Sequence, residues 1–138
     1  MKLLTFQAKV FGWEPFSKTV PDAPDMHEGG QVSDAVVVFM HLDTQDESEE
    51  RRSRVFRHTL KHIKWLANKR SFRTVVLHSF THLGGENAAP DFALAFMEEM
   101  EDRLTNTGYT VHKTPFGYFC EWNLHVYGES LAKVWKEI

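Results

Sequence analysis

Cysteine is almost absent from this chain of 138 residues, since Cys120 is the only one and no intrachain disulfide can form. Long apolar runs are missing too: none approaches the roughly 20 residues that cross a bilayer. The N-terminus, residues 1–4, runs into a polar alternating stretch and is too short for a signal sequence. We therefore expect a cytoplasmic protein with no membrane partner. The length suits one domain, residues 1–138, with a single hydrophobic core that needs no disulfide or metal ion to stabilise it.

Charge of one sign does not dominate either, because the formal net charge is only −3, but the charge is unevenly placed. Residues 49–73 hold nine Lys and Arg against two Glu. Most of them fall on one predicted helix, where four recur every three or four residues: Arg54, Arg57, Lys61 and Lys64. This face either follows the phosphates of a nucleic acid or is a solvated outer surface paired with nearby acids. The pattern leaves both interpretations open.

Hydrophobic periodicity predicts an α/β fold of order ββ(βα)(βα)ββα. Two consecutive strand-helix units favour a mixed β-sheet with helices packed on one side. The predicted strands cover residues 2–9, 10–14, 35–42, 74–80, 109–113 and 118–127, and the predicted helices cover residues 48–69, 90–105 and 130–138. Pro90 suits the first turn of its helix, and Gly108 suits the exit from it.

Two short stretches contain most of the functional information. Residues 79–90 (SFTHLGGENAAP) join a buried strand to the helix that Pro90 opens, and residues 114–123 (TPFGYFCEWN) form a Pro-Phe-Gly turn that leads into a strand. Both are typical of binding loops held by a rigid scaffold. His82, at the end of its strand, could position a water molecule or a substrate hydroxyl, although a lone loop histidine is more often bonded to backbone.

These stretches resemble the archaeal-type editing domain of threonyl-tRNA synthetase, whose corresponding segments look like PFAHLSSELAKP and APFGYYKAF. The likeness covers almost the whole chain in element order. It implies a D-aminoacyl-tRNA deacylase-like fold, a homodimer, and hydrolysis of the ester that joins a wrong amino acid, typically serine, to threonine tRNA. It also implies that the chain is one editing-type domain, either freestanding or cut from a longer chain. A synthetase acting in trans is then a possible partner, besides aminoacyl-tRNA itself.

The resemblance further implies which residues bind the substrate. Phe80, Thr81, Phe116, Gly117 and Tyr118 match positions that line the family's pocket, although Phe80 and Phe116 could equally belong to the core. We add four neighbours to this substrate-binding set: His41, Leu42, Ser79 and Phe119. The basic face of the long helix becomes the expected tRNA-binding surface.

Three positions depart from the family's pattern. The lysine that follows PFGYY in the family falls on Cys120, the second tyrosine is Phe119, and a glutamate of the terminal segment falls on Lys133. We hypothesise that Lys133, on a terminal helix, returns its ammonium to the pocket, the alternative being an exposed residue. Cys120 points inward, as a buried inert thiol or as a nucleophile. The candidate catalytic residues are therefore His82, Lys133 and Cys120.

We expect no cofactor and no metal. His58 and His62 are four residues apart on one helix, but the glutamate of an HExxH motif is missing. Two other functions remain open: a non-catalytic module of the same fold that binds a small molecule or tRNA, and a small metal-dependent hydrolase that rests on histidine content alone. The sequence does not identify the amino acid or the tRNA. It also does not show whether activity survives the loss of the lysine.

Overall fold

The computed structural model describes residues 1–138 as six strands and two α-helices, together with two short 3-10 turns at Thr44–Glu47 and Ser130–Ala132. The strands are β1 (Lys2–Lys18), β2 (Gly30–His41), β3 (Thr74–Ser79), β4 (Thr110–Lys113), β5 (Tyr118–Val126) and β6 (Lys133–Glu137). The helices are α1 (Glu49–Arg70), between β2 and β3, and α2 (Pro90–Asn106), between β3 and β4. No helix is long and apolar enough to cross a membrane.

All six strands form one mixed sheet of order β4-β3-β2-β1-β5. The pairs β2–β3 and β3–β4 are parallel, each joined by a helical crossover, whereas β2 and β5 run antiparallel to β1. Strand β6 pairs with the first part of β1, residues 2–6, beside the part that β5 occupies. The predicted fold class is confirmed.

Both helices pack on one face of the sheet, as predicted. Their apolar stripes, which include Ile63 and Leu66 of α1 and Phe96 and Met100 of α2, join alternate residues of β1, β2 and β3 in a cluster of 20 buried residues. Side chains on the same helix face recur every three or four residues, so these stripes follow directly from the sequence.

The opposite face of the sheet is concave because β1 and β2 both bend at one point. Pairing is interrupted between Lys9 and Asp34, and Asp34 has a left-handed φ of 52°. Against β5, the register of β1 shifts at the same point, between Ala8 and Val10, and a bulge of this kind bends a strand and increases its twist. The curl brings Trp13 of β1 within 6.1 Å of His112 of β4, ring centre to ring centre, although two strands separate β1 from β4. A second cluster of seven buried residues fills the concave side.

Three predicted elements differ from the structure, two strands and one helix. The strands predicted at residues 2–9 and 10–14 are one continuous strand, β1, because the bulge bends the chain without ending its pairing. The predicted terminal helix at residues 130–138 is a 3-10 turn followed by β6. The open edge of β1 at residues 2–6 accepts β6 and satisfies its backbone groups, and this pairing overrides the weak helical pattern of a short segment.

Candidate functional site

The two sequence stretches meet around a cavity of about 590 Å³ at the end of the sheet. One side consists of the end of β3 and the loop after it, residues 78–82. The start of α2 and the loop before it contribute Asn87, Ala88, Pro90 and Ala93, and the turn and strand at residues 115–120 contribute together with Trp122. Thr19 and Val20, after β1, complete the lining. Volumes of this size are typical of small-molecule sites. The two stretches that the sequence singled out therefore line one cavity, which is the candidate site.

The lining carries no lysine, arginine, aspartate or glutamate. Its walls are aromatic and apolar, and its polar groups are hydroxyls, imidazoles, the Asn87 amide and backbone. In such a weakly polarisable enclosure, hydrogen-bond donors act more strongly than in water. The site is suited to binding a neutral or polar group by hydrogen bonds rather than by ion pairs.

Thr81 and His82 lie at the mouth of the cavity and are solvent exposed. The His82 ring stands edge-on to the Phe80 ring, with centroids 5.3 Å apart. Phe80 lines the cavity and also packs against the concave cluster, while Phe116 does the same against the helix-side core. Each of these two phenylalanines therefore lines the pocket and also packs against the core.

His41 and Leu42 do not line the cavity, which corrects the sequence prediction. Both are buried behind the loop and hold it in place. The Leu83 backbone N–H donates to His41 Nδ1 at 3.0 Å, and His41 Nε2 lies 3.3 Å from the Glu86 carbonyl oxygen. The Leu42 carbonyl accepts from Ala88 N–H at 2.9 Å. At the end of a buried strand, a side chain can point behind the loop as readily as into the pocket, and residue order does not distinguish the two.

The Pro-Phe-Gly turn is fixed by the segment that follows β1. Gly117 has a left-handed φ of 79°, and its carbonyl accepts from the backbone N–H groups of Thr19 and Val20. The Tyr118 hydroxyl donates to the Pro24 carbonyl at 2.8 Å and accepts from Met26 N–H at 3.0 Å. Tyr118 therefore presents its ring to the cavity while its hydroxyl is occupied elsewhere.

Sequence reasoning named nine of the 18 lining residues and did not name the other nine, among them His78, Trp122 and the Thr19–Val20 pair that follows β1. His78 is 3% exposed, its Nδ1 lies 2.7 Å from Thr114 Oγ1, and the Trp122 ring stands edge-on to it at 5.2 Å. Burial lowers the pKa of His78 to about 4, so the ring is neutral at physiological pH. The available signal was strand alternation, which places His78 on the same face as Val76 and Trp122 on the same face as Cys120.

The comparisons with known proteins agree with this geometry. Residues 1–138 match the family described as the archaea-specific editing domain of threonyl-tRNA synthetase. The chain belongs to this family. This editing domain is 26%, 30% and 29% identical to the threonine–tRNA ligases of Thermococcus sibiricus, Hyperthermus butylicus and Methanopyrus kandleri, over 100%, 97% and 97% of its length. It spans only about a fifth of these relatives, 21 to 22%.

Among solved structures, the editing domain is similar to the c-Myc DNA Unwinding Element Binding Protein, with a TM-score of 0.64 at 14% identity. The match covers 100% of this chain and 99% of that chain. At this identity the likeness shows the fold, and it confirms the D-aminoacyl-tRNA deacylase-like architecture. Membership in the family supports a role in proofreading.

Cys120 lines the cavity of the editing domain, as expected from its strand alternation. The thiol is half-buried, and burial raises its pKa above the ordinary value. No cation is present in the lining to stabilise a thiolate. These facts favour an inert thiol over a nucleophile.

Lys133 does not reach the cavity, so the compensation hypothesis is wrong. It is exposed at the start of β6, and its Nζ donates to the Gly128 carbonyl at 3.3 Å. Lys133 pairs with Phe6 of β1 whereas Cys120 pairs with Pro15, a separation of nine residues or roughly 30 Å along the strand. No lysine side chain spans that distance.

The basic face of α1 is unpaired. Arg54, Arg57 and Lys61 are exposed, Lys64 is partly exposed, and none of the four forms a salt bridge. The salt bridges of α1 involve other arginines, at positions 51, 52 and 70. Pairing with nearby acids, one of the two interpretations of this face, is therefore not observed.

The two histidines of α1 are arranged differently from a metal site. His58 is exposed, whereas His62 is buried with Nε2 3.1 Å from Thr5 Oγ1. No group of three or more His, Cys, Asp or Glu is arranged to hold a metal ion. The Thr5 hydroxyl donates to the Val134 carbonyl, so His62 serves to connect α1, β1 and β6.

Proposed function

We propose that this domain hydrolyses the ester of a mischarged aminoacyl-tRNA, with the aminoacyl end bound in the cavity between residues 78–82 and 115–120. The observation that carries the proposal is the cavity itself, which the two motif segments of an editing family form together. Its volume accommodates an amino acid and the ribose that bears it. Serine on threonine tRNA is the expected substrate by resemblance to the family.

The arrangement suits ester hydrolysis that relies on positioning rather than on a charged side chain. Hydrolysis needs a held water molecule, hydrogen-bond donors for the oxyanion and a pocket that orients the amino acid. His82 and Thr81 stand at the mouth, where they can contact the ribose and the water. Phe119, which is 54% exposed, lies at the rim where an adenine ring can stack on it. In this fold the tRNA's own ribose hydroxyl is expected to assist.

The unpaired basic face of α1 is proposed to contact tRNA phosphates. Charge reversal at Arg54, Arg57 and Lys61 should weaken tRNA binding at least tenfold and flatten its salt dependence, because each phosphate contact releases counterions. Filter binding at several salt concentrations measures both. A matched triple reversal on α2, Glu98, Glu101 and Asp102 to lysine, adds charge elsewhere and should not weaken binding. Unchanged affinity and slope in the α1 variant would remove this face from the interface.

The same proposal includes a cytoplasmic location, where aminoacyl-tRNA is found, a homodimer, and action in trans beside a synthetase. Sedimentation of the purified protein tests the dimer. Addition of a threonyl-tRNA synthetase to the deacylation reaction tests the partnership, since cooperation should suppress net accumulation of seryl-tRNA. A monomeric protein that gains nothing from a synthetase would contradict both.

The decisive experiment incubates the protein with seryl-, threonyl- and D-aminoacyl-tRNA and follows the loss of acyl-tRNA against buffer alone. We expect seryl-tRNA to be hydrolysed faster than threonyl-tRNA, and chelator to have no effect. Chelator-sensitive turnover would instead indicate a metal-dependent hydrolase. No turnover on any of the three substrates would overturn the proposal.

A specific observation favours one second candidate, a binding module without catalysis. The cavity has no cation, and a protonated thiol stands where the family's lysine is expected. In that case a non-hydrolysable amide analogue of seryl-adenosine binds the cavity while the ester remains intact. Calorimetric titration with the analogue, beside the deacylation assay, separates the two functions.

A further inference from the structure

We propose that His78 is the hydrogen-bond donor for the ester carbonyl, its neutral ring directing Nε2–H at the oxygen that becomes negative during hydrolysis. This inference rests on the proposed deacylase function and names a residue that the sequence motifs do not contain. It is argued from the ring's position, its partners and the chemistry of the cavity.

The first step is the position of the ring. His78 belongs to the cavity lining yet is only 3% exposed. Phe39 and Trp122 pack against it at centroid distances of 4.8 and 5.2 Å, which hold the ring in one orientation. A site group held in place by its packing needs no reorganisation at the moment of reaction.

The second step is the position of the proton. Thr114 is also 3% exposed, and its hydroxyl lies 2.7 Å from His78 Nδ1 with no other side-chain or backbone partner. A buried hydroxyl proton needs an acceptor, and the arrangement that supplies one has Thr114 donating to Nδ1. The ring proton of the neutral imidazole is then on Nε2.

The third step is the direction of Nε2. This nitrogen makes no hydrogen bond within the protein. Thr59 Oγ1 is the one fully buried side-chain polar atom that lacks a hydrogen-bond partner. Because His78 Nε2 also lacks a partner but is not fully buried, it is accessible to solvent. Because His78 meets open space at the cavity, Nε2–H is available there to a ligand.

The fourth step is the choice of ligand atom. A neutral N–H donates and does not accept, which excludes the substrate's ammonium group as its partner. Among the acceptors of an aminoacyl ester, the carbonyl oxygen gains negative charge in the transition state. The water oxygen adds to the carbonyl carbon, the bond from that carbon to the ribose oxygen breaks, and the ribose oxygen takes up a proton released by the water. His78 keeps its proton throughout and stabilises the oxyanion.

The test compares His78→Phe, which keeps the ring shape without a donor, with His78→Gln, which keeps an N–H donor. His62→Phe is the matched control, because His62 is equally neutral and buried but lies outside the cavity lining. Single-turnover deacylation of the best substrate gives the maximal rate and the half-saturating concentration separately. Circular dichroism and thermal melting establish the folded fraction of each variant.

We expect His78→Phe to lower the maximal rate about 100-fold, as for other oxyanion donors, with little change in the half-saturating concentration. His78→Gln should recover part of this loss, and folded His62→Phe should react like the wild type. A folded His78→Phe variant with the wild-type rate would overturn the role of His78 alone. A wild type inactive on every aminoacyl-tRNA would overturn the proposed function and this inference together.

A measurement on the unmodified protein keeps the inference falsifiable if the variants unfold. Long-range proton–nitrogen NMR correlations distinguish the two imidazole tautomers, and His78 should carry its proton on Nε2 at neutral pH. Thr114→Val, which removes the hydroxyl but keeps the shape, should allow both tautomers. A proton on Nδ1 in the wild type, or a charged ring, would overturn the donor role.

Discussion

The two faces of the sheet are built differently. The helix-covered face buries 20 residues, most of them aliphatic. The concave face buries seven, including Phe11, Trp13 and Phe39, and continues into the cavity through Phe80 and Trp122. The first face therefore contributes more buried apolar surface to stability. The second face buries fewer residues and leaves a cavity that a ligand can enter.

Two of the buried histidines, one on each face, show the same contrast between the faces. His62, on the helix side, is bonded to Thr5, whose own hydroxyl is bonded in turn. His78, on the concave side, has one nitrogen bonded and the other open to the cavity. A buried polar group with a free atom is unfavourable for stability, and such groups are typical of functional sites.

The largest effect should come from breaking the helix-side core. Phe96→Ala removes a fully buried ring and should lower the free energy of unfolding by about 3–5 kcal/mol. Trp122→Ala, on the concave side, should cost only about 1–2 kcal/mol because 43% of that residue is already exposed. Urea unfolding measures both, with Phe16→Ala as the exposed control. Equal costs for Phe96 and Trp122 would contradict the division of roles.

The two histidines should make stability depend on pH. Burial, the first cause for both, lowers their pKa values to about 4, whereas the unfolded chain ionises near pH 6.5. The unfolded state therefore binds more protons as pH falls from 6.5 to 4. Stability is complete above pH 6.5 and is lost across that window, by up to about 3 kcal/mol for each histidine.

Unfolding free energies measured in urea at pH 7, 6 and 5 test this loss. His62→Phe should reduce the pH dependence by roughly half, because only His78 then excludes protons. Phe16→Ala, which removes an exposed side chain that does not titrate, is the control and should leave the dependence unchanged. A stability that does not vary between pH 7 and 5 would show that neither ring is kept neutral by the fold.

At the mouth of the cavity, His82 should affect catalysis without affecting stability. His82→Ala should slow deacylation tenfold or more, because it removes a group that positions the water or the ribose. Its effect on unfolding should stay within about 0.5 kcal/mol, since the side chain is exposed. Paired kinetic and urea measurements separate the two effects. A wild-type rate in the folded variant would exclude His82 from the site.

The smallest effect is expected at Lys133. Lys133→Met should leave the deacylation rate unchanged and alter the free energy of unfolding by no more than about 0.5 kcal/mol, because the side chain is exposed and far from the cavity. Cys120→Lys is the informative partner, since it places an ammonium directly in the lining. A loss of activity in Lys133→Met would revive the hypothesis that the structure contradicts.

Local sequence patterns predicted most of the scaffold. Continuous apolar runs indicated β2 and β3, helical periodicity indicated α1 and α2, and Pro90 marked the start of α2. The same patterns singled out residues 79–90 and 114–123, parts of which line the cavity. These features depend on backbone preference and on amphipathic spacing, both of which are local properties.

Local patterns failed where a distant segment decided the outcome. Residues 133–137 form a strand because β1 offers them an open edge. His41 points behind the loop because Leu83 and Glu86 meet its ring there. The terminal helix predicted to carry Lys133 does not form, and the expected proximity of Lys133 to Cys120 depended on that helix.

The sequence by itself determined the order of most strands and helices, the helix-side core and the two segments that line the cavity, because periodicity and turn residues act over a few positions. Only the tertiary structure decided that the sheet curls near Lys9 and Asp34 and that His78, Thr19 and Val20 join the cavity lining. It also decided that the Thr114 hydroxyl lies within hydrogen-bond distance of His78 Nδ1. These features depend on contacts between residues far apart in the chain, which no local pattern encodes.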